Sequence, residues 1–200
     1  MKKTFYLMRH GQTLFNVRRK IQGACDSQLT NLGIEQAQIA GEYFKDKGID
    51  HAYSSTSERA SDTLENILGK SFNYTRLKGL KEMNFGIYEG ESEDLNPNRT
   101  AFETFFLDYG GESRTQVRER MVKTCTEIME NENHNNVLAV SHGGACVHFL
   151  SHWHDASEEI KKGFPNCCIL KFEYENKNFK LVEVIRQIGR ASCRERVSSP

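Results

Sequence analysis

The sequence predicts an α/β protein, a three-layer sandwich in which a mainly parallel, mixed β-sheet carries helices on both faces. Three observations predict it. A short strand pattern, a polar turn and a helical pattern follow one another three times, from residues 3–8, 51–54 and 137–140, which is the grammar of βαβ units with right-handed crossovers. The last of these strands, VLAV, is apolar throughout, as a strand covered on both faces has to be. Near the end, CCILKFEY and FKLVEV flank ENKN, a hairpin pattern that adds an antiparallel edge.

Taken in order, residues 3–8 are the first strand, and residues 30–47 follow as a helix with Thr30 as N-cap. Its expected buried stripe is Leu32, Ile39, Ala40, Tyr43 and Phe44, and Gly48 stops it. The second strand turns through Ser55, Thr56 and Ser57 into a helix that carries Arg59, Thr63 and Leu64 and closes near Gly69. Tyr74–Leu77 is a third strand. The stretch GIYEGESEDLNPNRT, polar and interrupted by Pro97, predicts a loop or lid with little core of its own, within a lid-like insertion over about residues 87–111. Helical periodicity returns over residues 112–131 through Val117, Met121, Thr124, Cys125 and Ile128, and VLAV then leads through Ser141, His142, Gly143 and Gly144 into a helix over residues 145–153.

Two hundred residues with 38% hydrophobic content fit one domain, placed at residues 1–187. Basic and acidic side chains number 27 each, so the chain exerts no strong field on nucleic acid or an anionic membrane, and any anion site must be local. No apolar stretch has the length of a membrane span, and the run after MKK is too short for a secretory signal, so a cytoplasmic location is expected. The six cysteines form no CxxC pair and are expected to be reduced structural thiols. The segment IGRASCRERVSSP, residues 188–200, departs from the style of the rest, and is expected to be a non-native tail. Without its three arginines and one glutamate, 24 basic and 26 acidic side chains remain.

In an open α/β sheet the carboxyl ends of parallel strands share one rim, and ligands bind there. Arg9 with His10, the turn from Ser55 to Arg59, and His142 with Gly143 all fall at such ends. The rim therefore gathers two imidazoles, two guanidiniums, several hydroxyls and the amides of turns entering helices, a set suited to phosphate. Glycines 11, 143 and 144 allow close backbone approach. A binding site alone needs no second histidine; a neutral imidazole can act as a nucleophile while another supplies hydrogen bonds. The sequence has no DxD, HExxH or GxxxxGK[ST], so no metal or other cofactor is expected and arginines are left to offset phosphoryl charge.

These residues carry a resemblance. RHGQTLFN with IQGACDSQLTNLGIEQA, then SSTSERASDT, LKEMNFGIYEG, GGESRTQVRER and VLAVSHGG, in that order over Phe5 to about Val184, resemble the histidine phosphatase superfamily, the branch holding phosphoglycerate mutases and broad-specificity phosphatases. The resemblance implies a phosphoglycerate mutase-like fold, with His10 as the residue that becomes phosphorylated. It implies Arg9 and Arg59 as phosphate ligands, His142 as a further contact that steadies the transferring group, and Glu82 as the general acid for an alkoxide leaving group. Asn16, Gln22, Gly23 and Gly143 match positions near the phosphate.

Each residue also has a plainer reading. His10 alone is an ordinary loop histidine, Arg59 a solvated helix charge, and Glu82 is easily confused with Glu89, Glu91 or Glu93. His148 and His152, at i and i+4, have the spacing of a zinc pair but lack a third ligand. Three functions follow: a phosphatase acting on a small phosphorylated metabolite, a phosphoglycerate mutase, or a non-catalytic phosphate-binding module. The hydrolase is preferred because the mutase pattern ERHYG is replaced here by Glu82, Met83, Asn84, Phe85 and Gly86, and because residues 89–111 offer only Arg99 toward a basic clamp.

Overall fold

The computed structural model describes residues 2–98 and 100–186; the expected non-native tail lies outside them, as does Arg99. A six-stranded sheet runs in the order β3-β2-β4-β1-β5-β6. Its strands are β1 (Lys3–Arg9), β2 (His51–Ser55), β3 (Tyr74–Leu77), β4 (Asn136–Ser141), β5 (Ile169–Glu175) and β6 (Asn178–Ile185). The first four are mutually parallel, while β5 pairs antiparallel with β1 and β6 antiparallel with β5. The hairpin turn places Asn176 and Lys177 at φ of 52° and 60°, the left-handed pair that a tight hairpin of this twist requires.

Alternation along β1 and β4 builds the three layers. Phe5, Leu7, Val137 and Ala139 face one core with α4 (Arg114–Glu130) and α5 (Gly143–Trp153), and Tyr6, Met8, Leu138 and Val140 face the other, with α2 (Asn31–Phe44) and α3 (Glu58–Leu68). A single turn, α1 (Leu14–Val17), precedes α2, and a short α6 (Ser157–Lys162) precedes β5. Capping side chains start two of the longer helices: Thr30 Oγ1 accepts from Gly33 N, and Ser113 forms a capping box with Gln116.

One expectation is corrected. The stripe buried on α2 is Gly33, Gln36, Ala37, Ala40 and Phe44, while Leu32, Ile39 and Tyr43 are only partly covered. The helix is rolled by the loop after β1: a Cβ at Gly33 would lie 2.1 Å from Gln12 O, and Gln12 N donates to Gln36 Oε1 at 3.0 Å. The lid-like insertion is poor in core over its first stretch, where Ile87 and Leu95 are exposed, and richer after it. Its short 3₁₀ turns bring dispersed aromatic residues together, so that Phe106, wholly buried, has ring centroids of Phe85, Phe105 and Phe102 at 4.9, 5.1 and 5.2 Å. Phe106 joins the same core cluster as Leu80, Met83, Val117 and Met121. Phe102, Phe105 and Phe106 thus pack onto the core of the domain. Among the described residues no helix is long and apolar enough to cross a membrane.

Candidate active site

Strand register brings the rim together. Arg9 is paired with Ser141 across β1 and β4, and Ser54 with Val140 across β2 and β4, so His10, His142 and Ser55 emerge at one level. His10 N donates to Ser141 O at 3.0 Å, and the two imidazole centroids stand 5.3 Å apart with their planes at 63°. Both rings are buried, His10 with 4% and His142 with 0% exposure.

His10 Nδ1 lies 2.7 Å from Gly11 O. A carbonyl only accepts, so the hydrogen sits on Nδ1 and Nε2 keeps its lone pair. Burial, then the positive charges of Arg59 and Arg9, hold this imidazole well below its ordinary pKa. It is neutral at physiological pH. His142 is held well below its ordinary value too, by burial, by Arg59 and by His10. Arg59 Nε donates to His142 Nδ1 at 3.2 Å, which leaves the hydrogen on Nε2, 2.7 Å from Ser55 Oγ.

A cleft of about 400 Å³ opens on this rim, and Arg9, His10, Asn16, Gln22, Glu82 and Gly143 all line it. Arg59, His142 and Gly23 do not line it. The Arg59 guanidinium, fully buried, donates to Cys25 O at 2.8 Å, Asp26 Oδ1 at 2.9 Å and Gly23 O at 2.9 Å, and so ties the loop of residues 22–26 to His142. Arg9 Nη1 donates to Phe164 O at 2.6 Å, but its buried Nε has no partner among the described residues. Burial lowers the Arg9 pKa from its ordinary value, and the charge of Glu82 works against that. A buried N–H left open in this way calls for an acceptor in the cleft. Gln22 is held by Thr13 Oγ1 at 2.8 Å and Ser27 Oγ at 3.0 Å.

Glu82 sits over the N-terminus of α5. Its Oε1 accepts from Met83 N at 2.9 Å and Ala145 N at 2.8 Å, and its Oε2 from Gly144 N at 2.8 Å. A Cβ at Gly144 would lie 2.7 Å from Oε1, so the approach of the carboxyl needs glycine there.

Several members were not foreseen. Glu89 accepts from four amides, Ala24 at 2.7 Å, Phe85 at 2.9 Å, and Gly23 and Cys25 at 3.0 Å, and so staples the 22–26 loop to the stretch of chain after Glu82. The only sequence signal was its place in GIYEG. Gly11 N donates to Thr63 Oγ1 at 3.0 Å, which docks the β1 turn on α3. Lys20 and Arg114 line the cleft, with Arg114 4.6 Å over the Phe102 ring, so cations reach the wall from α4 and from the chain after α1. His148 lines the cleft too, its pKa pushed down to about 4 by burial and then by Arg114, whereas His152 meets Trp153 edge to face at 4.5 Å. Among the described residues no group of three His, Cys, Asp or Glu is placed to hold a metal ion.

Known proteins resemble this chain in sequence and in fold. A curated relative, the probable phosphoglycerate mutase GpmB of Proteus mirabilis (strain HI4320), is 33% identical over 183 residues, covering 86% of this chain and 85% of that protein. A crystal structure of phosphoglycerate mutase from Bacillus anthracis str. Sterne superposes with a TM-score of 0.81 at 26% identity, over 91% of this chain and 92% of its own. Phosphoserine phosphatase from Entamoeba histolytica, in complex with 3-phosphoglyceric acid, does so with a TM-score of 0.78 at 27% identity, over 92% and 98%. The family model for the histidine phosphatase superfamily (branch 1) matches residues 5–186, and the chain belongs to that superfamily.

Proposed function

We propose that this enzyme is a metal-independent phosphoric monoester hydrolase that works through a phosphohistidine on His10. One observation carries the reading: a buried, neutral imidazole, pinned by Nδ1 to Gly11 O, keeps the Nε2 lone pair in a cleft where the Arg9 Nε–H lacks a partner among the described residues. Nε2 attacks phosphorus, the P–O bond to the leaving group breaks, and Glu82 gives that oxygen its proton. Water then attacks the phosphohistidine, Glu82 takes a proton from it, the P–N bond breaks and phosphate leaves. The hydrogen-bond pattern selects the atom that carries the proton. Oε1 already accepts twice, whereas Oε2 accepts once and retains a lone pair.

Arg9, Asn16, Gln22 and Gly143 surround the phosphoryl group in this reading. Arg59, Gly23 and His142 complete the ligand set once a dianion draws them from their present partners, with the His142 Nε2–H as donor. The phosphatase of Entamoeba histolytica supports hydrolysis by analogy. A small phosphorylated metabolite is the substrate.

A second reading, the mutase, has its own support in Lys20 and Arg114, two wall cations able to hold a second anionic group, and in the names of the curated relatives. In that case the phosphohistidine returns its group to the substrate. The test runs both assays on one preparation. Turnover of p-nitrophenyl phosphate without added metal, abolished in His10→Ala, supports the hydrolase; equilibration of 3- and 2-phosphoglycerate primed by a bisphosphate, without net phosphate release, overturns it in favour of the mutase.

A further inference from the structure

The segment between α6 and β5 holds an asparagine that the reaction described above does not use. Asn166 Nδ2 lies 3.2 Å from His10 O and 3.1 Å from Asn16 Oδ1. Because a main-chain carbonyl only accepts, the atom facing His10 O is the amide nitrogen, and its second hydrogen is directed at Asn16. Asn16 Oδ1 also accepts from Thr13 N at 3.1 Å. Both lone pairs of that oxygen are therefore occupied, and turning the Asn16 amide over would set its NH₂ against two donors. Asn16 Nδ2 meanwhile makes no hydrogen bond among the described residues, although Asn16 lines the cleft.

The neighbours of Asn166 reinforce its placement. Phe164 O accepts from Arg9 Nη1 at 2.6 Å, and Cys167 N donates to His10 O at 3.2 Å from a residue at φ 57°. A left-handed non-glycine residue is costly and persists where surrounding bonds impose it. One short segment thus holds Arg9, His10 and Asn16 together.

We propose that Asn166 is a positioning residue: held in place by His10 O, it fixes the Asn16 amide so that its N–H groups face the anion bound in the cleft. The proposal rests on the reading of this cleft as a phosphoryl site. Asn166 itself touches no reacting atom, and its effect passes through Asn16.

The test is a double-mutant cycle read on the intact protein with orthovanadate, by titration calorimetry, beside kcat/KM for p-nitrophenyl phosphate. Asn166→Ala removes both donors, and Asn166→Asp, nearly the same shape, sets an acceptor against two acceptors. In the wild-type background Asn166→Ala is expected to weaken vanadate roughly 10-fold, the worth of about one hydrogen bond to an anion, and Asn166→Asp more. In an Asn16→Ala background the further loss should be under about 2-fold. Equal losses in the two backgrounds, or vanadate bound by Asn166→Ala as by wild type, overturn the proposal, since a purely structural role lowers stability without this coupling. If wild type binds vanadate yet hydrolyses no ester, the hydrolase reading fails while the vanadate cycle still decides the role of Asn166. Wild type that binds no vanadate overturns both.

Discussion

Glu89→Gln tests what holds the loop of residues 22–26 in place. The carboxylate accepts two amides on Oε1, from Ala24 and Phe85, and two on Oε2, from Gly23 and Cys25. A glutamine keeps one oxygen with two of these bonds and turns an NH₂ toward the other two donors. Two bonds to a charged acceptor, at about 1.5 to 3 kcal/mol each before water enters the half-buried site, come to a loss of about 2 to 4 kcal/mol. In a chain of this length that lowers Tm by about 5 to 15 °C. The pH dependence supplies a second check. Burial works to raise the Glu89 pKa, but the Cys25 thiol and the amides of Phe85, Ala24 and Cys25 outweigh it and hold the group below its ordinary value. Its stabilisation is therefore complete above the unfolded value of about 4.3 and is lost as pH falls through the folded one. Urea unfolding of both proteins at pH 7 and at pH 3.5 should show a gap that narrows in acid. A variant within about 0.5 kcal/mol of wild type at pH 7, or a gap unchanged in acid, refutes the reasoning.

Four further outcomes are expected. Glu82→Gln should slow alkyl phosphates far more than aryl phosphates, which leave without a proton; equal losses in steady-state assays count against Glu82 as the acid. Arg59→Ala, which leaves Asp26 and three loop carbonyls without their donor, should lower kcat/KM by roughly 2 to 4 kcal/mol through both kcat and KM. A near-neutral kinetic result would separate it from the phosphate. Because burial and two arginines hold His10 well below its ordinary value, the kcat/KM profile should show no acid limb near 6.5 that belongs to His10. Lys20→Met and Arg114→Met should raise KM for 3-phosphoglycerate several-fold more than KM for p-nitrophenyl phosphate, and equal changes would remove the support that these residues lend to the mutase reading.

The periodic parts of the molecule were legible before any coordinates. Residues 3–8, 51–54, 74–77 and 137–140, the helices that follow, and the terminal hairpin all occur close to where their patterns put them, because alternation and helical spacing are local properties of a chain that must bury one face. The meeting of His10 and His142 was legible too, since parallel strands deliver their ends to one rim. Whether the aromatic residues of the lid pack it down or face a leaving group was not. Phe85, Tyr88, Phe102, Phe105 and Phe106 are spread through polar chain, and only the path of short 3₁₀ turns brings them into contact.

By itself, then, the sequence determined which segments become strands and helices, which of their ends share a rim, and which chemical groups arrive there. The tertiary structure alone decided how those groups are held: four loop amides on Glu89, α5 amides on Glu82, the tautomers of both imidazoles, the reach of Lys20 and Arg114 into the wall, and the clasp of Asn166 on Asn16. The physical reason is directionality. Burial of apolar area depends on spacing along the chain, whereas a hydrogen bond depends on distances of a few tenths of an ångström between segments that meet only after folding.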